Sequence, residues 1–217
     1  MRPYTLDIDP ENTVADGLAD GNSSAGATVT LDGALTSGGA FTSADGLGRR
    51  LTILDLGADD QTGSTYTITG TDPDGIAQTE AILGPGASAA VTTTKYFRTV
   101  TSITIFLPTV GSTVDIGTVD EARSATVPLN YRSETDSVHS VDVTGTINYT
   151  VNVAFQPLLG MVAPSQSLKW FAATDLAAQT ADLAKTVATG ATACQFQINS
   201  FTDTAEASYT VFQNEAS

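Results

Sequence analysis

Residues 64–83 read STYTITGTDPDGIAQTEAIL, and the alternation within them constrains the fold more than any other stretch. Tyr66 and Ile68 fall between Thr65, Thr67 and Thr69, a period of two that puts one face of a strand on a core and the other on solvent. DPDG follows at once, and IAQTEAIL returns. Asp72 and Asp74 have the spacing of the first two ligands of a Ca²⁺ loop, but such a loop needs a third oxygen ligand where Ile76 stands and a glutamate where Leu83 stands. Turn chemistry fits better. Pro73 fixes φ at the second turn position, Asp72 can accept from the backbone ahead of it, and Gly75 tolerates a positive φ. The segment is therefore predicted to be an antiparallel hairpin, and Asp72 and Asp74 are assigned to its turn rather than to a metal.

The same grammar runs along the chain. Candidate strands at 27–32 and 50–56 are followed, after the hairpin, by VTTTKYF, by VTSITIFL with Val100, Ile103, Ile105 and Leu107 as core positions, and by STVDIGT. GGA at 38–40 and GPG at 84–86 read as turn glycines. Short strands with Gly and Pro punctuation predict an all-β protein of antiparallel sandwiches. Residues 119–137 collect charges and a proline and read as a connection. Beyond them VHSVDVTGTINYTVNVAF gives two strands joined near Gly145, and ACQFQINSF and SYTVFQ give two more. Between these pairs, residues 165–187 break the pattern: Ala172, Leu176, Leu183 and Val187 lie at helical spacing, so at most one short helix is expected there, and Trp170 and Phe171 could equally anchor a long loop across a sandwich. The predicted organisation is an N-terminal arm over 1–26, a β-sandwich over 27–122 and a second sandwich-like unit over 123–217.

Composition limits the function. Apolar residues make up 41% of the 217, enough for a real core, while charged residues are only 15% against the roughly 25% usual for soluble domains. Thr, Ser, Gly and Asn carry the polarity instead. The charges are lopsided, 24 acidic against 9 basic, for a formal net charge of -15. Nucleic acid is not an expected partner, because binding it needs clustered cations and only Arg49 and Arg50 stand side by side. No run of about 18 apolar residues exists to span a membrane, and the first residues lack the apolar stretch of a secretory signal. Without such a signal, the Asn22 and Asn148 sequons are not expected to be glycosylated.

The search for chemistry finds little. His139, the one histidine, sits among Asp136, Ser137, Ser140 and Asp142. On a strand, Ser137 and His139 share a face while Ser140 and Asp142 take the other, which does not deliver a serine and a carboxylate to opposite nitrogens of one imidazole. A solvated or interface histidine is expected. Cys194, the one cysteine, lies in the apolar ATACQFQI and reads as a buried small hydrophobe. One His and one Cys do not make a zinc site without distant carboxylates, and no phosphate-loop motif occurs. No catalytic, metal or cofactor-binding residue is assigned, and no enzymatic activity is expected. Exposed Thr, Ser and Ala lose little entropy when fixed at a contact, so such surfaces suit protein packing.

One resemblance adds to this. STYTITGTDPDGIAQTEAILGPGASAAVTTTKYFRTVTSITI resembles a segment common in virion structural proteins of tailed bacteriophages, in the order of its DPDG turn, its Thr-Glu, its Gly-Pro and its TTTKYFRTVTSITI strand. GTINYTVNVAF, WF, an Ala/Thr stretch, CQFQINSFT and YTVFQ resemble a second such module, although the proline and arginine expected near 191–197 are absent from ATACQFQ. The resemblance spans residues 60–118 and 141–214 and implies a virion component. The expected function is a capsid decoration or cement protein on the outer surface of a phage head, with the major capsid protein and further copies of itself as partners. A tail, head-tail connector or head-fibre part is the alternative. A carbohydrate-binding or adhesion module is a second, for which Tyr96, Tyr131, Tyr149 and Trp170 are the candidate aromatics.

Overall fold

A computed structural model describes residues 2–23, 25–108, 112–129, 136–156, 168–187 and 190–213. The protein is all β, with several antiparallel sheets and, among the described residues, no α-helix. Two compact units divide the chain. One comprises Asn12–Asp120, and the other combines Met1–Glu11 with Glu121–Ser217.

The chain opens with β1 (Arg2–Ile8), which belongs to the second of these units. The Asn12–Asp120 unit follows with β2 (Ala19–Ser23), β3 (Thr28–Val29), β4 (Thr36–Ser37), β5 (Ala40–Thr42), β6 (Gly48–Asp55), β7 (Thr65–Thr71), β8 (Ala77–Leu83), β9 (Ala90–Thr92) and β10 (Thr99–Phe106). β11 (Thr113–Arg123) then carries the chain onward. In this unit one sheet has the order β4-β5-β10-β7-β8, with β3 also on β10, and β6 pairs with β9 while β2 pairs with β11. Phe41, Leu51, Ile53, Tyr66, Ile68, Val100, Ile103 and Ile116 fill the space between these layers.

Local sequence explains the central hairpin. β7 alternates half-buried threonines with buried Tyr66, Ile68 and Gly70, as the period of two requires. Gly70 has a second reason: a Cβ there would lie 1.8 Å from the Thr99 carbonyl oxygen of β10. At the turn, Gly75 takes φ +80° and donates to the Asp72 carbonyl (2.9 Å), while the Asp72 carboxylate accepts from the amides of Asp74 (3.0 Å) and Ile76 (2.9 Å). DPDG is a tight turn closed by its own aspartate.

The other unit is completed by β12 (Val127–Pro128), β13 (Ser137–Thr144), β14 (Ile147–Ala154), β15 (Phe171–Ala172), β16 (Leu183–Val187), β17 (Ala193–Phe201) and β18 (Glu206–Gln213). One sheet runs β1-β18-β13-β16; in the other, β14 lies between β15 and β17, and β17 also pairs with β12 and with the end of β11. Stacked rings cross the interior. Phe196 of β17 lies 5.3 Å from Tyr149 of β14 and 5.3 Å from Tyr209 of β18, which in turn faces His139 at 5.9 Å.

One expectation changes and another is narrowed. The arm over 1–26 is replaced by strands: β1 pairs with β18 from Arg2↔Gln213 to Ile8↔Ala207, and β2 pairs with β11. Loop-like local composition gave way there to partners far along the chain, and the division into units runs through residue 12 instead of residue 26. Where at most one short helix was expected within 165–187, the described part holds β15, a single 3-10 turn at Thr174–Leu176 and β16. Pairing of Leu183–Val187 with β13 overrides the Ala-rich propensity.

Candidate interaction surface

The threonines that face away from the core of β7 are joined by neighbours on both sides. Residues opposite one another in adjacent strands present side chains on the same face, so the register defines rows. Leu83, Thr65 and Phe106 form the first row, and Ala81, Thr67, Thr104 and Thr28 the second. Thr79, Thr69 and Ser102 form the third; Ala77, Thr71, Thr99 and Thr42 the fourth. No row contains Asp, Glu, Lys or Arg. Thr71 and Thr99 share a hydroxyl hydrogen bond of 2.8 Å across β7 and β10. At the first row the face turns apolar, with Leu83 63% and Phe106 67% exposed. A chain of formal charge -15 thus leaves one broad sheet face without charge.

The strand at the margin of this face is secured from within. β8 turns Glu80 inward, where its carboxylate accepts from the Thr94 amide (2.7 Å), the Thr94 hydroxyl (2.8 Å) and the Lys95 amide (2.9 Å). Lys95 Nζ donates back to the Thr79 carbonyl (2.7 Å). An inward carboxylate on the edge strand and a lysine from outside it that occupies one of its carbonyls both discourage another strand from adding there.

Beneath the same sheet, Asp55 ends the run Leu51, Ile53, Asp55 on the buried side of β6 and is 2% exposed. Its carboxylate accepts from the Ser112 hydroxyl, from Gln61 Nε2 (2.5 Å) and from the Ser88 amide (3.0 Å); Tyr66 donates to Gln61 Oε1. Burial alone would raise the Asp55 pKa, but the bonds from Ser112, Ser88, Gln61 and Gly57 together hold it below the usual carboxylate value. Burial, with the Asp55 charge beside it, pushes Tyr66 up to about 12. The sequence reading passed over this cluster. Its signal was a carboxylate at the third buried position of an otherwise apolar alternation.

The residues weighed for catalysis are arranged differently. Ser137 and His139 do share a face and meet, Ser137 Oγ to His139 Nε2 at 2.8 Å, while Asp142 is exposed. The other nitrogen, Nδ1, lies 2.7 Å from the Tyr209 hydroxyl, which donates to Cys194 Sγ at 3.2 Å. A neutral imidazole protonated at Nδ1 satisfies the whole line: Ser137 donates to Nε2, Nδ1 donates to Tyr209, and Tyr209 donates to Cys194. No carboxylate stands in the position that a Ser/His/Asp triad requires. His139 is 0% exposed, which corrects the expectation of a solvated or interface histidine; it shares a face with the buried Val141. Burial lowers its pKa to about 4, raises Cys194 to about 12 and raises Tyr209 well above its ordinary value.

Asp72 is buried in its turn and Asp74 half-buried, and no group of three or more His, Cys, Asp or Glu among the described residues could hold a metal. Of the candidate aromatics, Tyr96 and Tyr149 are buried, Trp170 packs beside Leu168, Ala154 and Ala193, and Tyr131 lies outside the described residues. Besides Phe106 and Tyr4, exposed rings come from Phe155 (48%) and Phe171 (45%), 6.2 Å apart, with Lys169 Nζ 5.3 Å from the Phe171 centroid. They border a cleft of about 420 Å³ that also includes Asp175 and Lys185.

Fold and surface together define a class: an all-β protein of two units, one of which presents an uncharged, threonine-rich sheet face. No family model and no curated protein matches the chain.

Proposed function

We propose that this is a structural protein of a tailed-phage virion, a decoration or cement protein on the outside of the head. The single observation that carries the reading is the uncharged face of β8, β7, β10, β3 and β5 on a strongly acidic chain. A free monomer gains solubility from charge, and an uncharged face that ends in exposed Leu83 and Phe106 is the kind of surface that supports a contact role. The hairpin that builds the face is also the segment that resembles phage virion proteins. Net negative charge suits an outer surface better than one against packaged DNA.

Co-sedimentation of the purified chain with heads of the encoding phage stripped of it tests the reading. Saturable binding that raises the temperature at which heads release DNA supports it. Binding confined to tails or to one vertex replaces it with a tail or connector role. A second reading, a carbohydrate-binding module, draws on the Phe155 and Phe171 cleft, and a glycan array checks it through binding that Phe171→Ala abolishes.

A further inference from the structure

We infer that the cleft beside Phe155 and Phe171 binds an acidic sugar, a pyranose that carries a carboxylate, as part of a glycan. The inference rests on the carbohydrate reading above and names its ligand class; the virion role, which draws on a face of the other unit, does not depend on it. Three features of the cleft lead to it.

Place comes first. β15 ends one sheet of its unit and β16 ends the other, and the cleft is lined by both, so the sandwich is open at this edge. Phe171 stands opposite Val153 of β14 and shares its face. Val153, Leu176 and Val187 give the cleft an apolar floor, with the exposed rings of Phe155 and Phe171 beside it. Its volume of about 420 Å³ falls within the range of small-molecule sites.

Charge comes second. The chain has three lysines against a net charge of -15, and two of them are here: Lys185 lines the cleft, and Lys169 Nζ stands over the Phe171 ring. Lys185 Nζ is 3.9 Å from Asp175 Oδ2, too far for a hydrogen bond, and its side chain is 43% exposed. An anion entering the cleft therefore meets two ammonium groups on a chain that otherwise repels it.

The third is the mixture of groups. An inorganic anion would engage the lysines and leave the rings unused, and a plain hydrocarbon would do the reverse. The negative face of an aromatic ring attracts the polarised C–H groups of a pyranose. Asp175 sets an acceptor for hydroxyls next to the Lys185 donor. A sugar acid brings C–H groups, hydroxyls and a carboxylate on one ring.

Isothermal titration calorimetry of the whole chain tests this with digalacturonate and sialyllactose, each beside its methyl ester, which keeps the rings and removes the charge. The expected result is binding of at least one acid with a Kd of about 0.1–1 mM, at least tenfold weaker for its ester and weakened by salt. Phe171→Ala should abolish the binding and Lys185→Gln should weaken it about tenfold, both with unchanged melting temperatures to show that the fold is intact. Lys95→Gln, which removes the third lysine, in the other unit, should leave it unchanged. Acid and ester bound equally well, or binding indifferent to Lys185→Gln, overturns the inference and leaves the carbohydrate reading standing. Binding of neither acid overturns it as well, and a glycan array without a hit then removes the carbohydrate reading with it.

Discussion

The outer sheet faces of the two units are built from the same short polar residues but treat charge in opposite ways. Across β1, β18 and β13, Asp7 and Asp142 flank Ser208 in one row, and Glu206 and Thr144 stand opposite each other in the next. Across β8, β7 and β10 the equivalent rows hold only Thr, Ser, Ala, Leu and Phe. Threonine content alone therefore does not distinguish the two faces; the placement of carboxylates does. The interiors differ as well. The Asn12–Asp120 unit buries a charged carboxylate under hydrogen bonds, whereas the other buries a neutral line of Ser137, His139, Tyr209 and Cys194.

Perturbing each side tests that contrast. The largest effect is expected from Gly70→Ala, because the added methyl has no space against the Thr99 carbonyl. A loss of about 3 kcal/mol or more is predicted, read as lost hydrogen-exchange protection along β7 and β10. Intact protection would mean that β10 does not pass so close.

Acid comes next. His139 has a folded pKa near 4 against an ordinary value of 6.5, so the unfolded chain binds a proton that the folded chain refuses between those values. The stabilisation is complete above pH 6.5 and falls by roughly 3 kcal/mol as pH drops to 4. Asp55 acts in the same direction but lower, its contribution shrinking only as pH passes down through the carboxylate range. Urea titrations followed by Trp170, the one tryptophan, check this; a His139→Gln variant should lose the slope between pH 6.5 and 4 and keep the part below.

Tyr209→Phe removes the group between His139 Nδ1 and Cys194 Sγ and should cost about 1–3 kcal/mol, since a buried polar atom is left unpaired. A cost near zero would mean that the line has no energetic weight. Smallest is Asp7→Asn, which removes one carboxylate from the acidic row and keeps an acceptor for Ser208 (2.8 Å). A change within about 0.5 kcal/mol is expected, fading as salt is added.

Much of this was legible in the sequence where the information is local. TYTITGT announced both its buried and its exposed side, DPDG its turn, and the alternation from Ser137 to Val141 the shared face of Ser137 and His139. What could not be read is what depends on distant partners. Residues 2–8 look like a loop until β18, some two hundred residues later, pairs with them. An Ala-rich stretch at 171–187 has the spacing of a helix, but Val187↔Ser137 through Leu183↔Val141 holds its end in a sheet. The candidate surface shares this character. Its threonine ladder is visible within β7, but the absence of charge from the whole face becomes apparent only when β8, β10, β3 and β5 are set in register beside it.

The proposed virion role is the central claim, and cryo-electron microscopy of a tailed-phage virion assembled with this chain tests it most directly. The account predicts density for this chain at repeated positions on the outer capsid lattice, with the β8-β7-β10 face covered and the Asp7, Asp142 and Glu206 face open to solvent. Density with the threonine face open and the acidic face covered would contradict it, as would a head that carries no copy of the chain.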